Sequence, residues 1–375
     1  MSSKLRKCRN YACHSLWVTL ITGFIVAFGY LVIDVTILES LSKQEEKSNI
    51  LNYYYQIENI DENSSKKDTS IVIVNIAECY SREEIASVIE MVCAYEPQMI
   101  GIDVIFPKLT VSDPYADSIL CQVIQSNSNR IVSACRVIAN QHQDRVLYHI
   151  EKSFFVEDNL LLNQGTINFT EESYRHRLVI GNDTLIAMPS LIVKNITLDD
   201  TPRQVNFSNR DFKVIDFDSP FKPADIKGKI VLLGDIRDLR DFHDLPFPVN
   251  GSKRISGLHL LAYQTSSVLN SSWIKEASVW VEISIAIILT WLFTFFCYWL
   301  CKGTPHSPTP YQSMIMRITK ISLVVFFAFI GYLIFTYSHY VLNLIFTMAG
   351  IAMISLSVDL YQIIQDLKIK WKRKK

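Results

Sequence analysis

Glycine and proline are scarce in this chain, with 12 of each among 375 residues. Their scarcity excludes collagen-like, mucin-like and largely disordered proteins, which need far more of one or both. The chain also lacks an excess of positive charge, since 37 Lys and Arg side chains balance 37 Asp and Glu side chains. A nucleic-acid-binding protein needs a basic surface to displace counterions from phosphates. We therefore expect no nucleic acid among the partners.

Charged residues are missing from four apolar stretches, each about long enough to cross the ~30 Å hydrocarbon core of a lipid bilayer. These stretches are residues 13–33, 283–301, 321–337 and 341–358. The composition agrees, because 49% of the residues are hydrophobic and the mean hydropathy is +0.17. The sequence therefore predicts a lipid bilayer as a partner and four transmembrane helices, at residues 16–38, 278–301, 321–338 and 341–364.

Three segments that flank these spans are rich in basic residues. Residues 1–15, the connector 302–320 and the tail 365–375 carry 4, 3 and 6 Lys or Arg side chains against the single Asp366. Such segments stay in the cytoplasm under the positive-inside rule. We expect both termini to be cytoplasmic and residues 39–277, which carry a net charge of −9, to be extracytoplasmic.

The large segment between the first two spans alternates strand and helix patterns after a polar stalk at residues 40–67. Residues 71–77, 99–106 and 229–234 are apolar runs rich in β-branched side chains, typical of strands covered on both faces. Ser81 opens a capping box, which predicts a helix between the first two strands. The pattern predicts an α/β domain with a mixed, largely buried sheet.

Four cysteines fall in this segment. Outside the cytoplasm, disulfides persist, and four cysteines allow three pairings, among which the spacing selects none. Buried thiols without a disulfide are an equal alternative. The chain has no C-x-x-C or His-x-x-His spacing, so we expect neither a metal nor a cofactor. The four residues are Cys79, Cys93, Cys121 and Cys135.

The densest polar cluster of the chain follows the last predicted strand, at residues 235–244. Ligands of open α/β sheets collect beyond the carboxyl ends of the strands. Carboxylates there would hold a cation, and arginines would hold a polar metabolite. The alternative is a solvated loop whose Asp side chains cap turns. The candidate ligand-binding residues are Asp235, Arg237, Asp241 and His243.

Asp103 is the fifth candidate, because it interrupts the otherwise apolar strand predicted at residues 99–106. Burying a carboxyl group is costly unless it is hydrogen-bonded. The residue is therefore either a structural acceptor for a neighbouring loop or part of a ligand site at the same end of the sheet.

Three sequence blocks follow one another in the segment between the first and second spans. They are Gly-Ile-Asp-Val-Ile-Phe-Pro at 101–107, Asp-Pro-Tyr-Ala-Asp-Ser-Ile-Leu at 113–120 and Gly-Lys-Ile-Val-Leu-Leu-Gly at 228–234. Together with one leading span and three grouped later spans, they resemble the second type of CHASE domain. That family consists of exported sensory domains associated with bacterial cyclases and histidine kinases. Its usual Asp and Pro, five residues apart after the last strand, match Asp241 and Pro246.

The resemblance implies a sensor in the inner membrane of a bacterium that binds an unknown small ligand. No kinase, cyclase or nucleotide-binding motif follows the last span within these residues. We therefore expect no enzymatic activity and a separate signalling partner, with a homodimer implied by the family's usual pairing. The helix predicted at residues 257–269, almost continuous with the second span, would carry the signal. The alternatives are a membrane-anchored enzyme acting on an exported substrate and a passive envelope scaffold.

Overall fold

The structure, a computed structural model, divides into two compact units, Asn52–Ile274 and Met1–Leu51 with Lys275–Lys375. The predicted stalk lies almost entirely outside the described residues. These are residues 3–36, 54–55, 57, 66–142, 145–157, 163–167, 173–180, 183–196, 201–208, 210–303, 305, 307–342 and 344–374.

The unit Asn52–Ile274 contains the α/β fold. Its helices are α2 (Arg82–Ala94), α3 (Pro114–Ser126), α4 (Phe154–Glu157), α5 (Met188–Val193), α6 (Pro223–Ile226) and α7 (Gly257–Asn270). Its strands are β1 (Lys66–Asn75), β2 (Met99–Ile102), β3 (Ile131–His142), β4 (Arg145–Glu151), β5 (Gln164–Thr166), β6 (Ser173–Tyr174), β7 (Arg177–Ile180), β8 (Asp183–Ile186), β9 (Arg203–Gln204), β10 (Arg210–Asp216), β11 (Ile230–Gly234), β12 (Phe242–Val249) and β13 (Ser252–Ser256).

The main sheet has seven strands in the order β10-β1-β11-β2-β3-β4, with β5 also paired to β3. Every pairing in it is parallel except that of β3 with β4, which is antiparallel. This confirms the mixed sheet that the sequence predicts. Because the parallel strands run the same way, their carboxyl ends meet at one edge, where ligands of such sheets collect.

Helices cover both faces of the central strands. Val72 and Val74 of β1 pack in one apolar cluster with α2 and α3. On the other face, a Cβ atom built on Gly101 of β2 would lie 2.6 Å from Ile192 Cδ1 of α5, which shows how closely that helix approaches. The long helix α7 contacts β1 and β11. Each fully buried Val or Ile side chain contributes about 2 kcal/mol, and the runs of such residues explain why these strands lie at the centre.

The capping box at the start of α2 is confirmed. The Glu84 N–H donates to Ser81 Oγ at 3.1 Å, and the Ser81 N–H donates to Glu84 Oε2 at 3.1 Å. A pair of this kind satisfies two of the backbone donors that every helix leaves exposed at its start.

Two local features differ from the sequence-based expectations. The segment after β11 is not only a loop, because β12 and β13 form an antiparallel hairpin that leads into α7. The predicted near-continuity of α7 with the second span does not hold. Helix α7 ends at Asn270, and Ser271 takes the left-handed conformation with φ of 49°. Such a residue terminates a helix by turning the chain away from its axis.

The other unit contains α1 (Ser3–Thr36), α8 (Val279–Leu300), α9 (Pro310–Ser338), α10 (Ile345–Lys374) and the short strand pair of β14 (Lys275–Glu276) and β15 (Tyr340–Val341). Within the described residues, four segments are long and apolar enough to cross a membrane, one in each helix. They are Arg6–Gly29, Val279–Leu300, Pro310–Ser338 and Phe346–Trp371.

Three of these helices extend beyond the predicted spans. Helix α1 begins at Ser3, within the predicted cytoplasmic N-terminus. Helix α9 begins at Pro310, within the predicted connector, because Thr309 and Gln312 form a capping box there. Helix α10 continues to Lys374 through the basic tail. Helices α1, α8 and α10 pack together. Gly350 lets α10 approach α8 closely, since a Cβ atom there would lie 2.5 Å from Thr290 Oγ1, the kind of small-residue contact on which membrane helices depend.

The cysteines of the α/β unit form no disulfide among the described residues. Burial raises the pKa of the Cys79, Cys93 and Cys135 thiols to about 11 in each case. Thiols with such pKa values stay protonated and unreactive at neutral pH. The sequence left open whether these cysteines form disulfides or pack as free thiols. In the structure they are free thiols.

Candidate functional site

Asp103 directly follows β2, at the edge where the parallel strands end. The strand predicted to reach residue 106 stops at Ile102. The backbone N–H of Asp103 still donates to the Leu233 carbonyl of β11, at 2.8 Å. That bond ties the residue to the neighbouring strand and holds its carboxyl group beyond the end of the sheet.

Asp241 reaches the same edge from the turn Leu239–Asp241 that precedes β12. Its carboxylate lies against the start of α7 and accepts a hydrogen bond from the Gly257 backbone N–H. A Cβ atom on Gly257 would lie only 2.2 Å from Asp241 Oδ2, so a larger residue there would displace the carboxylate. The start of a helix carries a partial positive charge, which stabilises the ionised form of Asp241.

Both carboxyl groups line one cavity of about 40 Å³. A volume of that size holds about three water molecules, or a ligand group of similar size. Its lining combines polar and apolar side chains. The lining residues are Asp103, Ile167, Asp241, His243, Gly257, Leu260, Leu261 and Gln264.

Gln264 is a fourth polar residue in the lining of this cavity, after Asp103, Asp241 and His243. Its side chain is only 1% exposed, and its Nε2 atom has no hydrogen-bond partner among the described residues. Leaving a buried amide donor unpaired costs about 1–3 kcal/mol. Such groups are rare in native folds, and this nitrogen is enclosed by neighbouring atoms.

The two carboxyl groups interact electrostatically. Burial, reinforced by the negative charge of Asp241, raises the pKa of Asp103 to about 7. Burial also raises the pKa of Asp241, whereas His243 and the Gly257 N–H act in the opposite direction. His243 Nε2 lies 3.9 Å from Asp241 Oδ1. Two carboxyl groups that share a site cannot both ionise easily, so the pair retains one proton up to about neutral pH.

Residues 56–297 match the family model described as the CHASE2 domain. The match covers nearly two thirds of the chain and includes both carboxyl groups of the cavity. The chain belongs to the CHASE2 domain family. This confirms the resemblance that the three sequence blocks carry. No curated protein and no solved structure matches the chain.

The structure divides the five candidate residues of this CHASE2 domain into two groups. Asp103, Asp241 and His243 line the cavity, whereas Asp235 and Arg237 do not. Asp235 Oδ1 accepts the Arg237 backbone N–H at 2.7 Å, as in a capped turn. The Arg237 guanidinium, 56% exposed, pairs with Glu78. This part of the cluster matches the alternative interpretation of a solvated loop.

Gln264 and Gly257 line the same cavity and were not among the candidates that the sequence indicated. A signal for them exists, because Gly257, Leu260, Leu261 and Gln264 follow the i, i+3, i+4, i+7 spacing of one helix face. On such a buried stripe an uncharged polar side chain stands out. Recognising it requires knowing that α7 packs on the sheet with this face inward.

Proposed function

We propose that this CHASE2 protein is a bacterial membrane sensor whose α/β unit binds a small ligand outside the cytoplasm. The binding event passes through the apolar helices to a separate signalling protein. Family membership supports the sensory role, because CHASE2 is a sensory domain family. The observation that carries the proposal is the cavity beyond the strand ends, which Asp103, Asp241 and Gln264 line together.

Binding at the cavity is tested by a thermal-shift screen of small polar compounds on the full-length protein in detergent micelles. A true ligand at 100 times its Kd should stabilise the folded unit by about 2.7 kcal/mol. The variant Asp103→Asn should lose this response. The control Asp244→Asn should retain it, because Asp244 lies on the exposed surface, 3.1 Å from Arg254. A compound that stabilises all three proteins equally would be binding somewhere else.

The relay would begin at α7, which forms one wall of the cavity. The chain leaves this helix through a segment that is held to the domain. Trp273 stacks on Tyr174 with ring centroids 5.0 Å apart, and the Ile274 N–H donates to the Gln204 carbonyl at 3.2 Å. The next residues lead to α8. A ligand that binds more tightly to one position of α7 would shift the segment that contains Trp273 and Ile274. A ligand moves a conformational equilibrium only if its affinity differs between the two states.

The charge pattern supports a location in the bacterial inner membrane with both termini in the cytoplasm. A phosphatase that is active only outside the cytoplasm should be active when fused after Ile150 and inactive when fused after Lys375. A fluorescent protein that matures only in the cytoplasm should show the reverse. Phosphatase activity at Lys375, or none at Ile150, would contradict the proposed orientation and with it the extracytoplasmic sensor.

An enzyme acting on an exported substrate is the second candidate, and one observation favours it. A carboxyl group with a pKa near 7, such as that of Asp103, suits general acid or base catalysis. We propose binding without turnover, and the same screen separates the two. A stabilising compound that is recovered unchanged after prolonged incubation supports a sensor, whereas its conversion to a product supports the enzyme. A homodimer remains part of the proposal on the basis of the family's usual pairing.

A further inference from the structure

Helix α10 is longer than a bilayer crossing requires. Its apolar segment Phe346–Trp371 measures about 39 Å along the helix axis, against a hydrocarbon core of about 30 Å. Lys320 of α9 marks the end of the crossing, because it lies about 27 Å along the axis from Ser338, where α9 ends. Its Nζ atom donates to the Ser355 hydroxyl of α10 at 2.6 Å. Residues 362–374 of α10, about 20 Å of helix, therefore project beyond the hydrocarbon core.

An apolar stripe continues from the crossing into this projecting part. Its side chains recur at alternating intervals of three and four residues, the heptad spacing of helices that pair along a seam. Each of them is between 41% and 59% exposed. We refer to these five residues as the α10 seam: Met353, Leu356, Leu360, Ile363 and Leu367.

Lipid accounts for the exposure of the first part of the α10 seam but not of its end. Leu367 lies about 18 Å along the helix axis from Ser355, whereas the headgroup layer beyond the hydrocarbon is only about 5–8 Å deep. A large apolar side chain at that height contacts water unless a protein covers it. A lone helix of about 13 residues is also marginal in water. The uninterrupted helix with its apolar stripe therefore indicates a protein partner.

The course of the α10 seam favours one kind of partner. The seam runs without a break from the bilayer into the projecting part, so a matching surface must cross the bilayer in the same direction and continue past it. A soluble protein could cover Ile363 and Leu367 but could not reach Met353. A second copy of this chain supplies an identical helix at the same depth, related by a two-fold axis along the membrane normal.

We propose that α10 is the self-association surface of this protein, and that two copies pair in parallel along the α10 seam. Inside the bilayer the seam contributes side-chain packing, and beyond it the seam contributes the hydrophobic effect. Lys370 occupies the next position of the repeat and ends the seam, since two lysines would face each other there. The inference rests on the homodimer of the proposed function and gives it an interface, without involving the ligand cavity.

Disulfide cross-linking of the full-length protein in native membranes tests this pairing. Cys8 and Cys13, which are exposed on α1, are first replaced with serine. Ile363→Cys and Leu367→Cys should then each give a disulfide-linked dimer under mild oxidation, because seam positions face their own copies. The matched control Ile369→Cys changes an exposed isoleucine about 200° around the helix from Leu367. It should cross-link at least about tenfold more slowly, since its thiols point apart.

The strength of self-association supplies a second measurement, by sedimentation equilibrium of the full-length protein in detergent micelles. Leu367→Glu should raise the dimer Kd at least about a hundredfold, because each dimer loses two buried leucines and gains two facing negative charges. Ile369→Glu introduces the same charge outside the seam and should change the Kd less than about threefold. Equal thermal unfolding of the α/β unit in the two variants would show that both are folded.

Four outcomes overturn the inference. They are equal cross-linking at residues 363, 367 and 369, no disulfide-linked dimer at either seam position, an adduct whose mass is not twice that of the chain, and an unchanged dimer Kd in Leu367→Glu. The third outcome would mean that a different protein covers the seam. If the pairing fails while a compound still stabilises the wild type but not Asp103→Asn, the α10 interface is wrong and the sensor proposal stands.

Discussion

Replacing Asp103 with Asn should raise the free energy of unfolding of the α/β unit by about 3 kcal/mol at pH 8 and leave it nearly unchanged at pH 4. The pKa of this carboxyl group is raised from 3.8 to about 7 by burial and by the charge of Asp241. Between about pH 4 and pH 7, the Asp103 carboxyl group therefore keeps its proton in the folded protein but has lost it in the unfolded chain. The stability that the proton provides is complete below about pH 4 and is lost as the pH rises through 7.

Urea titrations of the full-length protein in micelles between pH 4 and 8 measure this effect. The unfolding free energy of the wild type should fall as the pH rises across that range. For Asp103→Asn it should fall less steeply, because the variant lacks the one proton that Asp103 releases. Asp244→Asn should keep the wild-type slope, because its side chain is 74% exposed. If Asp103→Asn also keeps that slope, the retained proton belongs to another group, with Asp241 as the first candidate.

Replacing Asp117 with Ala should lower the free energy of unfolding by about 2 kcal/mol at neutral pH, because it removes the ion pair with Arg82, whose side chain is 19% exposed, and the hydrogen bond from Thr110. Asp117 of α3 is 2% exposed and forms an ion pair with Arg82, which begins α2. Its Oδ2 atom also accepts the Thr110 N–H at 2.5 Å. The Arg82 guanidinium lies 5.4 Å from the centre of the Phe106 ring. The pair thus joins two helices to the loop that follows Asp103.

Glu83→Ala is the matched control, since Glu83 is an exposed acid of the same helix turn as Arg82. It should change the unfolding free energy by less than about 0.5 kcal/mol. Burial would raise the pKa of Asp117, but the hydrogen bonds from Arg82 and Thr110 outweigh it and lower that pKa. The contribution of this pair is therefore present above about pH 4 and lost as the pH falls further, opposite in sign to that of Asp103. Equal stability of the wild type and Asp117→Ala at neutral pH would contradict this account.

The cost of ionising Asp103 has a consequence for sensing. Above neutral pH the cavity holds two negative carboxylates and has no Lys or Arg side chain among its lining residues. A positively charged ligand would remove part of their repulsion only in the arrangement where both acids face it. That is the differential interaction that lets a ligand shift a protein between two states.

The order of strands and helices was predictable because it depends on local patterns. The apolar run before Asp103 and the capping box at Ser81 each act over a few residues. The rule that ligands gather beyond parallel strand ends then selected Asp103, Asp241 and His243. The same rule also selected Asp235 and Arg237, because adjacent residues of a polar loop look alike in sequence. Their contacts differ only after the turn at Leu239–Asp241 brings the Asp241 carboxylate beside Gly257 at the start of α7.

The amino-acid sequence by itself determined the four apolar helices, the mixed α/β unit and the CHASE2 relationship, since each follows from the hydrophobicity, spacing or order of neighbouring residues. Only the tertiary structure decided which polar groups share a cavity. Asp103 and Gln264 are far apart in the chain, and they meet because α7 packs against the sheet with Gly257 and Gln264 on its inward face. Such proximity is a property of packing between distant segments, which no local pattern encodes.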